Sequence, residues 1–314
     1  MSELKKIISL ILVVASLLLL LTGCNFKFYK DDYALMIGVH TSQSGKEVAN
    51  TVAAIVIDKD YKIVSCRIDT IAVTAELTED GKINDEKTYK SKAELGDDYG
   101  MLTNSPYYGS SLAEWYDQAK AFENFVIGKT QDEVNGIEVK DDGKTSDEAL
   151  SAGCTIAITD FISAVNKAFD SKQMVGLQTK MEISALGVAV NADVKSSGNS
   201  GASYTADFAA VVFVDGKIIA AVIDSNEVTC TVKDGKFGQI TDKGTKLEQG
   251  DSYGMVAYGG AIAEWYEQAQ AFADTAIGKT KDEVASLAIE GIAGCTMYAG
   301  GYKAVLEKAA NYAR

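Results

Sequence analysis

A set of blocks that recurs in one order limits the fold of this chain more than any other feature. Ala113-Glu-Trp-Tyr-Asp-Gln-Ala-Lys-Ala-Phe122 returns as Ala263-Glu-Trp-Tyr-Glu-Gln-Ala-Gln-Ala-Phe272, with eight of ten residues identical. Ile127-Gly-Lys-Thr-Gln-Asp-Glu-Val134 returns as Ile277-Gly-Lys-Thr-Lys-Asp-Glu-Val284. Upstream, Gly96-Asp-Asp-Tyr-Gly-Met101 pairs with Gly250-Asp-Ser-Tyr-Gly-Met255, and Lys62-Ile63 with Ile68-Asp69 pairs with Lys217-Ile218 with Ile223-Asp224. Downstream, Ala152-Gly-Cys-Thr155 pairs with Ala293-Gly-Cys-Thr296. This order predicts two tandem homologous domains, residues 24–172 and 173–314, each of ordinary domain size.

Within a unit the elements follow from local signals. Ala209–Val214 and Lys217–Ile223 flank Asp215-Gly216, the preferred two-residue hairpin turn, and Ala54–Ile57 with Ile63–Ile68 stand in the same places of the first unit. Leu112, Trp115, Tyr116, Ala119, Phe122 and Val126 follow helical spacing toward Gly128, as Ile262, Trp265, Tyr266, Ala269 and Phe272 do toward Gly278. Thr130-x-x-Glu133 and Thr280-x-x-Glu283 are capping boxes that open short helices. A closing helix is expected from about 160 to 169 and from 302 to about 313. Strands first and helices later predict an α+β fold, each unit an antiparallel sheet with C-terminal helices.

Residues 1–23 read as a lipoprotein signal peptide. Lys5 and Lys6 precede an apolar run from Ile7 to Leu21, and Leu21-Thr22-Gly23-Cys24 matches the lipoprotein processing box. Cys24 is then the lipidated first residue of the mature chain, which predicts anchoring at the extracytoplasmic face of the cell membrane. An uncleaved transmembrane helix is the alternative, but the run is short for a bilayer. Four further cysteines, Cys66, Cys154, Cys230 and Cys295, leave three disulfide connectivities open and include no C-x-x-C pair.

Composition narrows the chemistry. The chain of 314 residues carries 44 Asp and Glu against 30 Lys and Arg, a net charge of −14, which argues against nucleic acid as a partner. His40 is the single histidine, so multi-histidine metal sites and schemes needing several imidazoles fall away. Gly128-Lys-Thr130 and Gly278-Lys-Thr280 look like the end of a phosphate loop, but Glu123 and Ala273 stand where its first glycine belongs. The Trp-Tyr pairs read as core packing before ligand stacking, and Asp97-Asp98, Asp251 and Asp141-Asp142 lack a calcium-loop pattern. No Ser or Cys has an identifiable base nearby in sequence, so a hydrolase has no positive support; an enzyme with its own catalytic residues stays behind the non-enzymatic expectations.

The Ala-Gly-Cys-Thr pair sets a hydroxyl just ahead of the closing helix, where free N–H groups suit a phosphate. A buried turn in which Gly and Ala allow close packing explains the same residues. At this point the chain resembles the bacterial FMN-binding domain family. An Asp-Gly-Lys-Ile hairpin, a helix, and then an acidic residue ahead of a small-residue run ending in Thr stand in that family's order. In that family a flavin transferase attaches FMN through its phosphate to the motif threonine. The resemblance implies Thr296 as the flavin-bearing residue, with Gly294 and Glu290 in its motif, and Thr155 with Gly153 as the weaker counterpart. It implies an extracytoplasmic flavin-based electron carrier with a membrane redox partner. A flavin-free surface lipoprotein that binds a small ligand or an envelope partner is the alternative expectation. "Gly-Asp-Asp-Tyr-Gly-Met" and "Glu-Trp-Tyr-x-Gln-Ala" also look like repeat lipoproteins of Gram-positive anaerobes.

Overall fold

The computed structural model describes residues 32–103, 111–179, 182–198 and 201–314. The signal segment and Cys24 lie outside them. The fold is α+β, with two four-stranded antiparallel sheets. The first contains β1 (Asp32–Ser44), β2 (Glu47–Asp58), β3 (Ile63–Thr74) and β4 (Val175–Gln178) in the order β3-β2-β1-β4. The second contains β5 (Ala185–Ser197), β6 (Gly201–Val214), β7 (Lys217–Lys233) and β8 (Lys236–Phe237) in sequence order. β4 lies beyond the expected boundary at 172/173, yet it pairs with β1 and completes the first sheet.

Between β3 and β4 run α1 (Lys92–Leu95), α2 (Trp115–Phe125), α3 (Gln131–Asn135), α4 (Glu148–Ser151) and α5 (Thr159–Phe169). After β8 come α6 (Lys246–Gln249), α7 (Met255–Gly259), α8 (Trp265–Ala273), a 3-10 turn over Lys281–Ser286, and α9 (Gly300–Asn311). No helix among the described residues is long and apolar enough to cross a membrane.

The hairpin turn forms as its dipeptide requires. Asp215 and Gly216 take φ of 50° and 71°, the left-handed pair that matches strand twist. A register shift interrupts the ladder at Val212/Phe213, and another sits at Val56/Ile57 in the first sheet. Both capping boxes close, Glu133 and Glu283 each accepting the backbone N–H of its threonine at 2.8 Å.

The main helices begin later than their apolar spacing suggests. Glu114 and Glu264 hold extended N-cap conformations, so Leu112 and Ile262 precede α2 and α8 and are 52% and 69% exposed. Trp115 and Trp265 are buried in the core, in edge contact with Phe161 and Tyr302 respectively.

Val52–Ile57 and Val211–Ile223, apart from Asp215, Gly216, Lys217 and Ile219, are buried as near-continuous runs, because each sheet is covered on both faces. α2 and α5 cover one face of the first sheet, packing on Ala34, Met36, Ala53, Ile55 and Ile57. Leu35, Ile37, Val39, Val52, Ala54 and Val56 point the other way, into a core shared with the second sheet. There β3 lies against β5 and β1 against β7. α9 covers the outer side of β5 and β6. The layers run helix, sheet, sheet, helix.

Reciprocal ion pairs cross this stack. Lys308 of α9 donates to Glu94 of α1, while Lys167 of α5 meets Glu248 of α6 at 2.8 Å. Both lysines come from a closing helix and both glutamates from the capping box after a third strand.

Candidate functional site

The repeated blocks fold onto one another. Gln118 of α2 is fully buried, and its Oε1 accepts the Thr155 N–H at 2.8 Å and the Thr155 hydroxyl at 3.0 Å. Gln268 of α8 holds Thr296 in the same way, at 2.8 and 3.0 Å. Glu114 accepts the N–H groups of Met101 and Leu102, and Glu264 those of Met255 and Val256. Tyr116 donates to Asp97 at 2.8 Å and Tyr266 to Asp251 at 3.0 Å. The Gly-Lys segments dock on the third strands, Gly128 N–H donating to Ile63 O and Gly278 N–H to Ile218 O, each at 2.7 Å. Gly128-Lys-Thr130 and Gly278-Lys-Thr280 are thus spoken for by strand docking and helix capping.

Thr155 and Thr296 are exposed at the surface, as are Gly294 and Glu290, and Gly153 is half-buried. A Cβ on Gly153 would stand 2.9 Å from Ala121 Cβ, and one on Gly294 would stand 3.3 Å from Ala271 Cβ. The turn needs small residues to sit against the helix. All four later cysteines are free and buried.

Removing the glutamine clamp is expected to show its structural weight. Gln268→Ala leaves the Thr296 N–H without its acceptor and should cost about 1–3 kcal/mol in chemical denaturation. A change below about 0.3 kcal/mol would mean that the turn holds without the clamp.

Two concavities lie elsewhere, where the two sheets and their helices meet. One, of about 250 Å³, is walled by Arg67, Asp69, Ala93, Trp115, Glu123 and Arg314 among others. The second, of about 260 Å³, is walled by Val39, Lys167, Asp224, Thr245, Leu247 and Glu248 among others. Each combines the middle of a third strand and a capping-box helix from one half with the closing helix or its following turn from the other. Asp69 Oδ1 accepts the N–H groups of Thr70 (2.7 Å) and Ala93 (3.1 Å), as Asp224 Oδ1 accepts those of Ser225 (2.7 Å) and Leu247 (3.1 Å). Burial pushes the Asp69 carboxyl up to about 6 and the Asp224 carboxyl up to about 7.

Comparison with models of protein families, with curated proteins and with solved structures finds no match.

The two halves of the chain differ in charge at two paired positions. Arg67, just before Ile68-Asp69, corresponds to Val222 before Ile223-Asp224; Glu123 after Phe122 corresponds to Ala273 after Phe272. The first cleft thus carries an ion pair where the second half of the chain has two apolar residues. Arg67 Nη1 donates to Glu123 Oε2 at 2.8 Å, and Arg67 Nε donates to the Leu186 carbonyl at 3.0 Å. Arg314 Nη2 reaches the same Glu123 oxygen at 3.1 Å. The other Glu123 oxygen accepts the Ile68 N–H at 2.9 Å.

Arg67 and Arg314 are all the arginine in the chain, and they converge on one carboxylate. Their sequence signal was a break in the repeat: two paired positions, 67/222 and 123/273, change together from charged to apolar. Attention to the identical blocks passes over it.

Proposed function

We propose that this chain is a lipid-anchored extracytoplasmic binding protein, built from two homologous units at 24–172 and 173–314 and held to the membrane through Cys24. Its ligand site is the cleft walled by Arg67, Glu123 and Arg314. The observation that carries this reading is a break in the repeat at the wall of this cleft. Arg67 and Glu123 line it as a buried ion pair, and their counterparts in the second half of the chain are Val222 and Ala273. Buried ion pairs are poor stabilisers compared with apolar packing, and the second half of the chain displays the apolar solution. A charged pair in a concave site is more useful for recognition than for folding.

The flavin reading stands second. It is supported by Thr155 and Thr296, whose side chains are held in matching settings on exposed turns ahead of α5 and α9. FMN on Thr296, with Gly294 and Glu290 in its motif, would make the chain an electron carrier loaded by a flavin transferase and served by a membrane redox partner.

Mass spectrometry of the full-length protein extracted from its membrane tests both readings. Under denaturing conditions we expect a lipid adduct on Cys24 and no flavin adduct. Under native conditions we expect a small-molecule adduct, drawn from a compound panel, that disappears in Ala93→Phe. An FMN adduct lost in Thr296→Ala, with no non-covalent adduct sensitive to Ala93→Phe, would replace the cleft reading with the flavin one.

A further inference from the structure

We infer that the first cleft recognises a small monocarboxylate with an apolar body, gripped between the guanidinium groups of Arg67 and Arg314. This rests on the cleft being the ligand site and adds the class of its ligand.

Arg67 is an incompletely satisfied cation. The Arg67 side chain is 9% exposed, with Nε and Nη1 engaged, but its buried Nη2 has no hydrogen-bond partner among the described residues. Burial pulls the guanidinium below its ordinary value, and Glu123 opposes that only in part. A planar fork with a spare N–H edge is the geometry that receives a carboxylate. The Arg314 side chain is 42% exposed; its backbone pairs with Leu186, and among the described residues its guanidinium meets Glu123 at 3.1 Å. It is the movable member: swinging off Glu123, it opens the way to Arg67 Nη2 and closes over the bound oxygens.

The wall charges favour a monoanion. Two guanidiniums, Arg67 and Arg314, face two carboxylates, Glu123 and Asp69. Beside them the Lys92 Nζ lies 5.4 Å from the Trp115 ring centre. A monoanion meets the spare N–H edge of Arg67 with the least added negative charge. A dianionic phosphate would bring surplus negative charge beside buried Asp69, in a chain already at −14.

The rest of the wall is apolar. Ile68, Trp115, Ala119 and Val188 line it, so the body of the ligand is hydrocarbon or aromatic. A volume of about 250 Å³ is below the usual range for drug-sized ligands and suits a small acid.

The second half of the chain supplies the control. Arg67→Val with Glu123→Ala installs the residues that the other half carries at 222 and 273, an arrangement this fold already tolerates. Titration calorimetry of the full-length protein with benzoate and hexanoate is expected to show binding, with inorganic phosphate and neutral benzamide much weaker. The double variant, Arg67→Lys and Arg314→Ala should each weaken benzoate by roughly tenfold to a hundredfold.

Benzoate binding unchanged in the double variant and in Arg314→Ala would overturn the arginine grip. Phosphate binding tighter than either acid would overturn the monocarboxylate class. Benzamide bound as tightly as benzoate, and lost in Ala93→Phe, would overturn the anionic class while the cleft reading survives. If none of the four probes binds, the inferred class falls, while the compound-panel adduct lost in Ala93→Phe still decides the cleft reading by itself.

Discussion

Gly38→Ala is expected to destabilise the protein by about 3 kcal/mol or more, the largest effect of any single methyl group considered. A Cβ at Gly38 would lie 2.0 Å from the Ala168 backbone nitrogen and 2.4 Å from the Ala164 carbonyl oxygen. These atoms belong to the backbone of α5, so no side chain can turn aside, and the helix must lift from β1. Lifting it would open the core that joins Met36, Phe122, Phe161 and Ala168. The second half is built alike, since a Cβ on Gly187 would meet the Ala309 carbonyl oxygen of α9 at 2.0 Å. Gly45→Ala is the control: φ there is +59° and nothing stands within 4 Å, so only the backbone cost of roughly 1 kcal/mol applies. Urea denaturation of the three variants measures this. A Gly38→Ala midpoint no lower than that of Gly45→Ala would show that α5 does not rest on β1 as described.

Stability should also fall as pH rises from about 5 to 8. Asp69 and Asp224 are fully buried, and burial holds their carboxyls at about 6 and about 7 against an ordinary 3.8. Below 3.8 both folded and unfolded chains keep these protons, and the contribution is fully present. Between 3.8 and the folded values the unfolded chain loses protons that the folded one retains. The contribution therefore disappears as pH climbs through 6 and 7. The full swing is at most about 3 kcal/mol for Asp69 and about 4 kcal/mol for Asp224. Hydrogen bonds from Ser91 and Thr245 and from the backbone pull these carboxyls down, as does the Lys308 charge near Asp69; Glu248 pushes Asp224 up. The capping carboxylates Glu133 and Glu283 are held low and act in a more acidic window. Asp224→Asn keeps an acceptor for the Ser225 and Leu247 N–H groups and removes the titration. Its Tm should vary less between pH 5 and 8 than that of the wild type. A wild-type Tm that rises across this interval, with Asp224→Asn following in parallel, would contradict the assignment.

The two variants probe features of different legibility. Glycine in a strand signals close approach, but nothing near Gly38 in sequence says that Ala164 and Ala168 are what approaches. Asp224 stands beside Ile223 in a repeated pair, and a reader sees the pair without seeing that α6 buries it. The Ala-Gly-Cys-Thr turns were visible as a constellation. That a buried glutamine from the Glu-Trp-Tyr-x-Gln-Ala block clamps each threonine became clear only with the helix and turn in place.

From the sequence alone come the elements whose cause is local. The Asp215-Gly216 hairpin, the threonine capping boxes, the periodic faces of α2 and α8 and the closing helices are each specified within about a dozen residues. The apolar runs of β2 and β6 also declare burial on both faces. They do not declare what lies on each side, because an apolar face packs on any apolar partner and carries no address. Tertiary structure made that choice. It set sheet against sheet, crossed Lys167–Glu248 with Lys308–Glu94, and brought Arg67 and Arg314 from far ends of the sequence onto Glu123.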